Sequence, residues 1–500
     1  MRPVVTCEEM RAIDEEARRS LSEATLVERA GTAVARHGLR MLGGGYGRKV
    51  VVIAGKGNNG ADGRAAADLL TRRGARVTVI EAADAPERIG PASTVDLVID
   101  AAYGTGFRGR YRAPSVPPGV PVLAVDIPSG VDGGTGEACG EPLRADVTVT
   151  FAALKPGLLQ GDGPLLAGQV VVADIGLDVS RARMGVMEDS DVGVLVPMRS
   201  RAAHKWQSAV AVVAGSPGMT GAADLCAWGA YRSGAGMVCL GVPGADGDAT
   251  SLREAVSVTI PAVGWSSLAL SMAERCAAVV IGPGLGRDPA TAQDVKRFLI
   301  AFSGAAVIDA DGLFALATPA TPSTPATPST PSTPATAATA STASTPARAG
   351  TTAGPAEALA AAAEALATAA GPVILTPHDG EFAHLTGQAP GPDRIADVRR
   401  AAAELGAVVL LKGPTTVIAD PHGTVRLVTA GSPRLATAGT GDVLAGVIAA
   451  MVARGLEPLE AASVGAHVHG AAAALGPPEG LVASDLPDLV AKWLSSVHRD

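Results

Sequence analysis

Short apolar runs rich in valine and isoleucine alternate along most of the chain with alanine-rich stretches of helical periodicity. Runs that are apolar at every position, rather than at every second one, suit strands covered on both faces. The pattern therefore predicts parallel sheets sandwiched between helices. Strands are expected at 49–54, 76–80, 95–99, 120–125, 147–151 and 170–173. After Asp174-Ile175-Gly176-Leu177 the chain turns more polar and less periodic, and a fresh apolar run opens at 209–214, so a domain boundary is expected between about 186 and 200. In the second unit strands are expected at 237–240, 277–281, 305–308, 372–375, 407–411 and 416–418, with closing helices that start near Asp442, Leu459 and Leu486.

A segment of another kind interrupts this second unit. From about 318 to 352 the chain repeats threonine, proline, alanine and serine, as in Thr318-Pro319-Ala320-Thr321-Pro322, and no charged residue occurs from Gly312 to Ala347. Proline recurs too often there for helix or sheet, so a solvent-exposed spacer is expected. Loop closure becomes costlier only with the logarithm of length, which lets such an insertion leave a sheet intact. The expected organisation is two three-layer α/β/α domains, 1–190 and 200–497.

Composition narrows the chemistry. The chain has 500 residues, enough for two or three domains at roughly 150 residues each. With 47% hydrophobic and 18% charged residues and a formal net charge of −8, it lacks the basic excess that grips a phosphate backbone. Aromatic residues at 3% leave few stacking platforms, so no nucleic-acid partner is expected. Cys7, Cys139, Cys226, Cys239 and Cys276 are odd in number and never form a C-x-x-C pair, which points to free thiols rather than disulfides or structural zinc. Acids stand near the N-terminus where a secretory signal would be apolar, and no run of about twenty strongly apolar residues occurs. The expected location is cytoplasmic, with no membrane partner.

Candidate chemistry gathers where strands end. The run 49–54 enters Gly55-Lys56-Gly57-Asn58-Asn59-Gly60-Ala61-Asp62-Gly63, a tight turn whose first helical N–H groups suit a phosphate. Asp100 ends another strand ahead of Tyr103-Gly104-Thr105-Gly106-Phe107-Arg108-Gly109-Arg110, and Asp126 ends a third ahead of Pro128-Ser129-Gly130. Loops beyond the carboxyl ends of open α/β sheets are where ligands bind, so the three are expected to share one crevice. Lys155-Pro156-Gly157 reads either as a pocket edge or as a sheet-end turn.

These segments, with T-F-A-A-L-K-P-G at 150–157, resemble the NAD(P)H-hydrate epimerase domain, a Rossmann-like family, over about residues 1–185. The resemblance implies that Asn58, Asn59, Gly60, Ala61 and Asp62, together with Gly104, Thr105, Gly106, Phe107, Arg108, Gly109 and Arg110, hold the hydrated nicotinamide nucleotide. It further implies that Asp126 contacts the reacting end and that Asn59, Asp100 and Ser129 surround a potassium ion. Ala61 stands where the family usually has a second glycine. Epimerisation requires the hydroxyl to leave and return on the opposite ring face, and Asp126 is a reasonable acid/base partner.

In the second unit, Leu435-Ala436-Thr437-Ala438-Gly439-Thr440-Gly441-Asp442-Val443-Leu444-Ala445-Gly446 puts two glycines and a carboxylate at a helix start. Backbone N–H groups there can hold a transferring phosphoryl while Asp442 takes the proton of the attacking hydroxyl. Lys412-Gly413-Pro414-Thr415-Thr416 offers a lysine and two hydroxyls to a nucleotide's phosphates, and none of these loops has the order of a P-loop. Taken with H-K at 204–205, G-S-P-G-M-T-G-A-A at 215–223, G-P-G-L-G at 282–286, D-A-D-G-L at 309–313 and L-T-P-H-D-G-E-F at 375–382, these residues resemble the ADP-dependent NAD(P)H-hydrate dehydratase domain of the ribokinase-like superfamily. That likeness implies that Ala222, Gly284 and His378 border the hydrated nucleotide, that Lys412, Gly413, Pro414, Thr415, Thr416 and Gly441 touch ADP, and that Asp442 is the base. Trp206 departs from the usual H-K-G opening and Asp379 stands where proline is common.

Hydroxide is a poor leaving group and phosphate a good one, so phosphorylating the hydrate's C6 hydroxyl turns a kinase fold to net dehydration. Magnesium is expected to neutralise the transferring phosphate. The small-molecule substrates implied are the NADH and NADPH hydrates, NADHX and NADPHX, and the chain is expected to form a homo-oligomer. A ribokinase-like small-molecule kinase carrying a non-catalytic ligand- or protein-binding N-terminal module is the alternative.

Overall fold

The computed structural model describes residues 1–245, 250–319 and 354–497. The expected low-complexity insertion therefore lies, from residue 320 on, outside the described residues.

Two α/β sheets organise the chain. The smaller has six strands, all parallel, in the order Arg76–Glu81, Lys49–Ala54, Leu97–Ala101, Val122–Val125, Val147–Phe151 and Gln169–Ala173. Its central strands are buried along their length, as their unbroken apolar runs require. From Lys49–Ala54 the chain moves first to one neighbour and then returns to the other. The carboxyl ends of Lys49–Ala54 and Leu97–Ala101 therefore form the switch point where a crevice opens.

The larger sheet has eleven strands. Seven run parallel in the order Val256–Ile260, Met237–Pro243, Ala209–Val213, Ala278–Ile281, Ala305–Ile308, Val373–Leu375 and Val408–Leu411. Antiparallel Thr416–Ala419 and Val425–Val428 extend it. The helix Thr220–Arg232 crosses Thr440–Ala453 closely enough that a Cβ on Gly446 would sit 2.0 Å from the Cys226 carbonyl oxygen. The last glycine of the A-T-A-G-T-G-D-V-L-A-G run thus serves helix packing.

Strand pairing departs from a division at 186–200. Met184–Val186 lies parallel to Val425–Val428, and Arg2–Val4 adds antiparallel to Met184–Val186, so two strands from the first 190 residues belong to the larger sheet. The physical reason is burial: Val4, Met184 and Val186 share one apolar cluster with Leu154, Leu158, Leu159, Val417 and Leu427. No helix among the described residues is long and apolar enough to cross a membrane. The five cysteines are unpaired thiols.

Candidate active sites

At the switch point of the smaller sheet lies a cavity of about 690 Å³. Its floor depends on close backbone approach, since a Cβ on Gly55 would lie 1.9 Å from the Ala102 carbonyl oxygen and one on Gly60 would lie 1.8 Å from that of Gly55. Asn58, Asn59, Asp62, Gly104, Thr105, Gly106, Phe107 and Asp126 line the cavity. Gly60, Ala61, Arg108, Gly109 and Arg110 are not among its lining residues. Ala61 instead donates its N–H to Gly57 in the first helical turn, so its methyl group stays clear of the cavity. The Arg108 guanidinium is exposed and bonds the Phe107 carbonyl.

Asp126 is held in an uncommon backbone conformation, φ +65°, which non-glycine residues adopt at a cost and which recurs at functional sites. Its Oδ1 lies 2.8 Å from Lys155 Nζ and accepts from Thr150 Oγ1 at 2.9 Å. Lys155 also donates to Thr150 Oγ1 and to the Phe151 carbonyl, both at 2.9 Å, and it is fully buried while lining the cavity. The open reading of Lys155-Pro156-Gly157 resolves into both alternatives. The lysine faces the cavity, and Gly157 makes the turn, where a Cβ would meet the Asp132 carbonyl oxygen at 2.1 Å. Thr150 and Asp14 are the site groups that sequence reasoning did not single out, whereas Lys155 had left a signal, a cation just beyond a strand end.

Asp62 is buried against the same cavity, and burial, with the charges of Asp126 and Asp14, pushes its carboxyl up to about 8. Asp100 is fully buried and also raised by burial, although Ser129 donates to it through N–H at 2.8 Å and Oγ at 2.6 Å. Among the described residues it has no cationic partner. Asn59 beside it in the loop cluster has a buried Nδ2 without a hydrogen-bond partner. A fully buried carboxyl lacking a counter-charge and the Ser129 hydroxyl bonded to it offer oxygens to an alkali cation, whereas the orphaned Asn59 Nδ2 is a donor and calls for an acceptor.

The second site gathers at the carboxyl ends of the larger sheet. Lys412 Nζ lies 2.9 Å from Asp309 Oδ1 and 3.6 Å from Glu381 Oε2. Burial opposes its charge, but these two carboxylates outweigh that and raise its pKa. Gly441 packs over the pair, since a Cβ there would stand 3.5 Å from both Lys412 Nζ and Asp309 Oδ2. Gly439, φ +88°, starts the helix Thr440–Ala453, and Thr440 Oγ1 ties the turn by donating to the carbonyls of Leu435 and Thr437. The N–H groups of Gly441 and Asp442 find no acceptor among the described residues, as expected of a helix start open to an anion. Burial, reinforced by Asp309, Glu381 and Asp311 and countered by Lys412, pushes the Asp442 carboxyl up to about 7.

Around this centre, Gly284 and Ala222 adjoin, a Cβ on the glycine lying 3.1 Å from the alanine Cβ. His378 caps the helix Asp379–Thr386: its Nδ1 accepts from the N–H groups of Gly380 and Glu381 while its own N–H donates to Glu381 Oε2. Asp379 binds the Arg394 guanidinium through two bonds, and Arg394 also donates to the Lys412 carbonyl, which gives the aspartate a supporting task behind the 412–416 loop. Thr415 Oγ1 donates to the Leu159 carbonyl of the first unit, so one of the two hydroxyls expected for phosphates is already engaged. Trp206 stands just ahead of the strand Ala209–Val213, at the end opposite the site, with the Arg275 guanidinium 4.0 Å from its ring centroid. It therefore does not form an entrance loop. Among the described residues no three His, Cys, Asp or Glu side chains group to hold a metal.

Comparison with known proteins places both halves. The family described as NAD(P)H-hydrate dehydratase matches residues 210–331 and 354–495, and the YjeF-related protein N-terminus matches 23–94 and 80–157. The bifunctional NAD(P)H-hydrate repair enzyme Nnr of Moorella thermoacetica is 34% identical over 94% of this chain and 91% of its own length. Its namesake in Mycobacterium leprae is 35% identical over 91% of this chain and 90% of its own length. A crystal structure of the ADP/ATP-dependent NAD(P)H-hydrate dehydratase of Bacillus subtilis, co-crystallized with ATP/Mg2+, is 25% identical and covers 62% of this chain and 97% of its own, with a TM-score of 0.43.

Proposed function

The chain belongs to the bifunctional NAD(P)H-hydrate repair enzymes, and from that premise we propose how its two sites divide the work. The first cavity interconverts the R and S epimers of NADHX and NADPHX at C6. The second site dehydrates the S epimer to NADH or NADPH with ADP as co-substrate.

In the second site Asp442 deprotonates the C6 hydroxyl, whose oxygen attacks the β-phosphorus of ADP and releases AMP. The ring nitrogen then pushes out phosphate to leave a C6–N double bond, and loss of a C5 proton to solvent returns that pair to nitrogen as the C5–C6 double bond forms, so one hydrate and one ADP yield one reduced nicotinamide, AMP and phosphate. A carboxyl pushed up to about 7 suits this exchange near neutral pH. The open N–H groups of Gly441 and Asp442 take charge on the transferring group. Lys412, Gly413, Pro414 and Thr416 face the nucleotide while the Thr415 hydroxyl stays on Leu159, and Ala222, Gly284 and His378 face the hydrate. Magnesium, held by the ADP phosphates, would neutralise their charge. Potassium, held by Asn59, Asp100 and Ser129, would keep Asp100 ionised and order the loops around the first cavity.

The observation carrying this reading is the raised Asp442 carboxyl at a helix start with unfilled amides, beside the Lys412, Asp309 and Glu381 cluster. The test incubates the purified chain with mixed NADHX epimers and ADP, following reduced-nicotinamide absorbance, AMP and both epimers together. Loss of both epimers with one AMP per NADH is expected. A stable phosphorylated product with no absorbance recovered would favour the small-molecule kinase instead. A cytoplasmic homo-oligomer completes the proposal, and sedimentation of the purified chain tests the assembly.

A further inference from the structure

The first cavity contains more proton-handling groups than one acid/base residue requires. Asp14, from the helix Cys7–Ala17, Asp62, from the helix Asn58–Arg72, and Asp126, at a strand end, all line it with Lys155. Their partners differ. Asp126 is bonded to Lys155 at 2.8 Å and to Thr150 at 2.9 Å. Asp14 is half-buried, and Arg18 and Lys155 offset part of its burial cost. Asp62 is the most deeply buried of the three, 8% exposed, and no hydrogen bond or ion pair forms to its carboxyl among the described residues.

We propose that Asp62 is the proton donor to the departing C6 oxygen and that Asp126, held by Lys155, receives the proton of the returning water. This rests on the epimerase reading of the cavity. In the forward half, the C6–O bond breaks as Asp62 protonates the oxygen. Water leaves with the bonding pair, and the ring nitrogen's lone pair forms a C6–N double bond. In the return half, water adds to the other ring face, the double-bond pair returns to nitrogen, and Asp126 takes the excess proton. A water relay from Asp126 to Asp62 restores both groups, with no net change in protons or electrons.

The electrostatics agree with this division. Arg11, Arg18, Lys56, Glu23 and Glu81 are the other charged groups lining the cavity, and Glu81 is already paired with Arg64. Lys155 is bonded to Asp126 and not to Asp62, whose carboxyl burial and its acidic neighbours push up to about 8.

The test uses the full chain without ADP, so that the dehydratase is idle, and follows interconversion of a purified NADHX epimer from pH 5 to 10. Wild type is expected to lose kcat/KM above about pH 8, as Asp62 gives up its proton. Asp62→Asn and Asp62→Ser are expected to lower kcat by about 10²–10⁴-fold and to abolish that alkaline limb. ADP-dependent dehydration of the S epimer by the same variants reports intact folding. Variants that epimerise within about threefold of wild type, or that keep the alkaline limb, overturn the assignment of Asp62 alone. Wild type no faster than the spontaneous reaction would overturn the epimerase reading with it.

Discussion

Each of the two sites pairs a lysine with carboxylates, Lys155 fully buried and Lys412 partly so, yet the lysines are spent differently. In the first cavity Lys155 binds Asp126 at 2.8 Å. In the second, Lys412 binds Asp309 at 2.9 Å and approaches Glu381 at 3.6 Å, and Asp442 is left without a direct ion pair. Two other carboxyls are pushed up, Asp62 to about 8 and Asp442 to about 7, in both cases first by burial and then by neighbouring acids, with Lys412 opposing the rise at Asp442.

The strongest way to break this comparison is Asp442→Asn. It should lower dehydration by about 10³-fold or more while ADP affinity, measured by calorimetry, stays within about threefold. Retained dehydration would place the base elsewhere. Next, Lys155→Met should leave Asp126 without its counter-charge, lowering epimerisation by about 10²-fold and costing about 3 kcal/mol in urea unfolding. Near-wild-type stability would mean that the pair contributes little.

A third test sharpens the contrast through pH. A carboxyl whose folded pKa of about 8 exceeds its ordinary 3.8 binds more protons folded than unfolded, so stability falls as pH rises between these values. Asp62→Asn removes that fall and should stabilise the chain by up to about 5 kcal/mol at pH 8, with less than about 1 kcal/mol gained near pH 4. Urea curves at the two pH values check it. The smallest effect belongs to Thr415→Val, which removes the bond to Leu159 and should cost about 1 kcal/mol while changing the KM for ADP by less than about fivefold. A larger change in KM would return the hydroxyl to the nucleotide.

Elements held by their own sequence were easiest to read. Runs 49–54, 147–151 and 305–308 fold as strands with those bounds because every buried position is apolar or β-branched. Arg2–Val4 and Met184–Val186 escaped, being three residues long with partners far away in the chain, and Val425–Val428 escaped as a four-residue strand between Thr416–Ala419 and the distant Met184–Val186. The site residues divide similarly. Asp126 and Asp442 stand in glycine-marked loops at strand ends or helix starts, which local chemistry exposes. Asp14 lies on a helix crowded with acids, where nothing local distinguishes it from Glu15 or Glu16. Thr415 shows its engagement only once Leu159, 256 positions away, is brought beside it.

The shared edge of the larger sheet bears on how this polypeptide can be handled. Severed near residue 195, the C-terminal piece would be left with the Val425–Val428 backbone bare on the side that Met184–Val186 now covers. The N-terminal piece would keep a two-stranded ribbon with Val4 and Val186 wetted. Bare edges of this sort invite association with any available strand. Expression of either half alone therefore calls for a redesigned border, and a weak activity from such a truncation would report on the cut rather than on the enzyme.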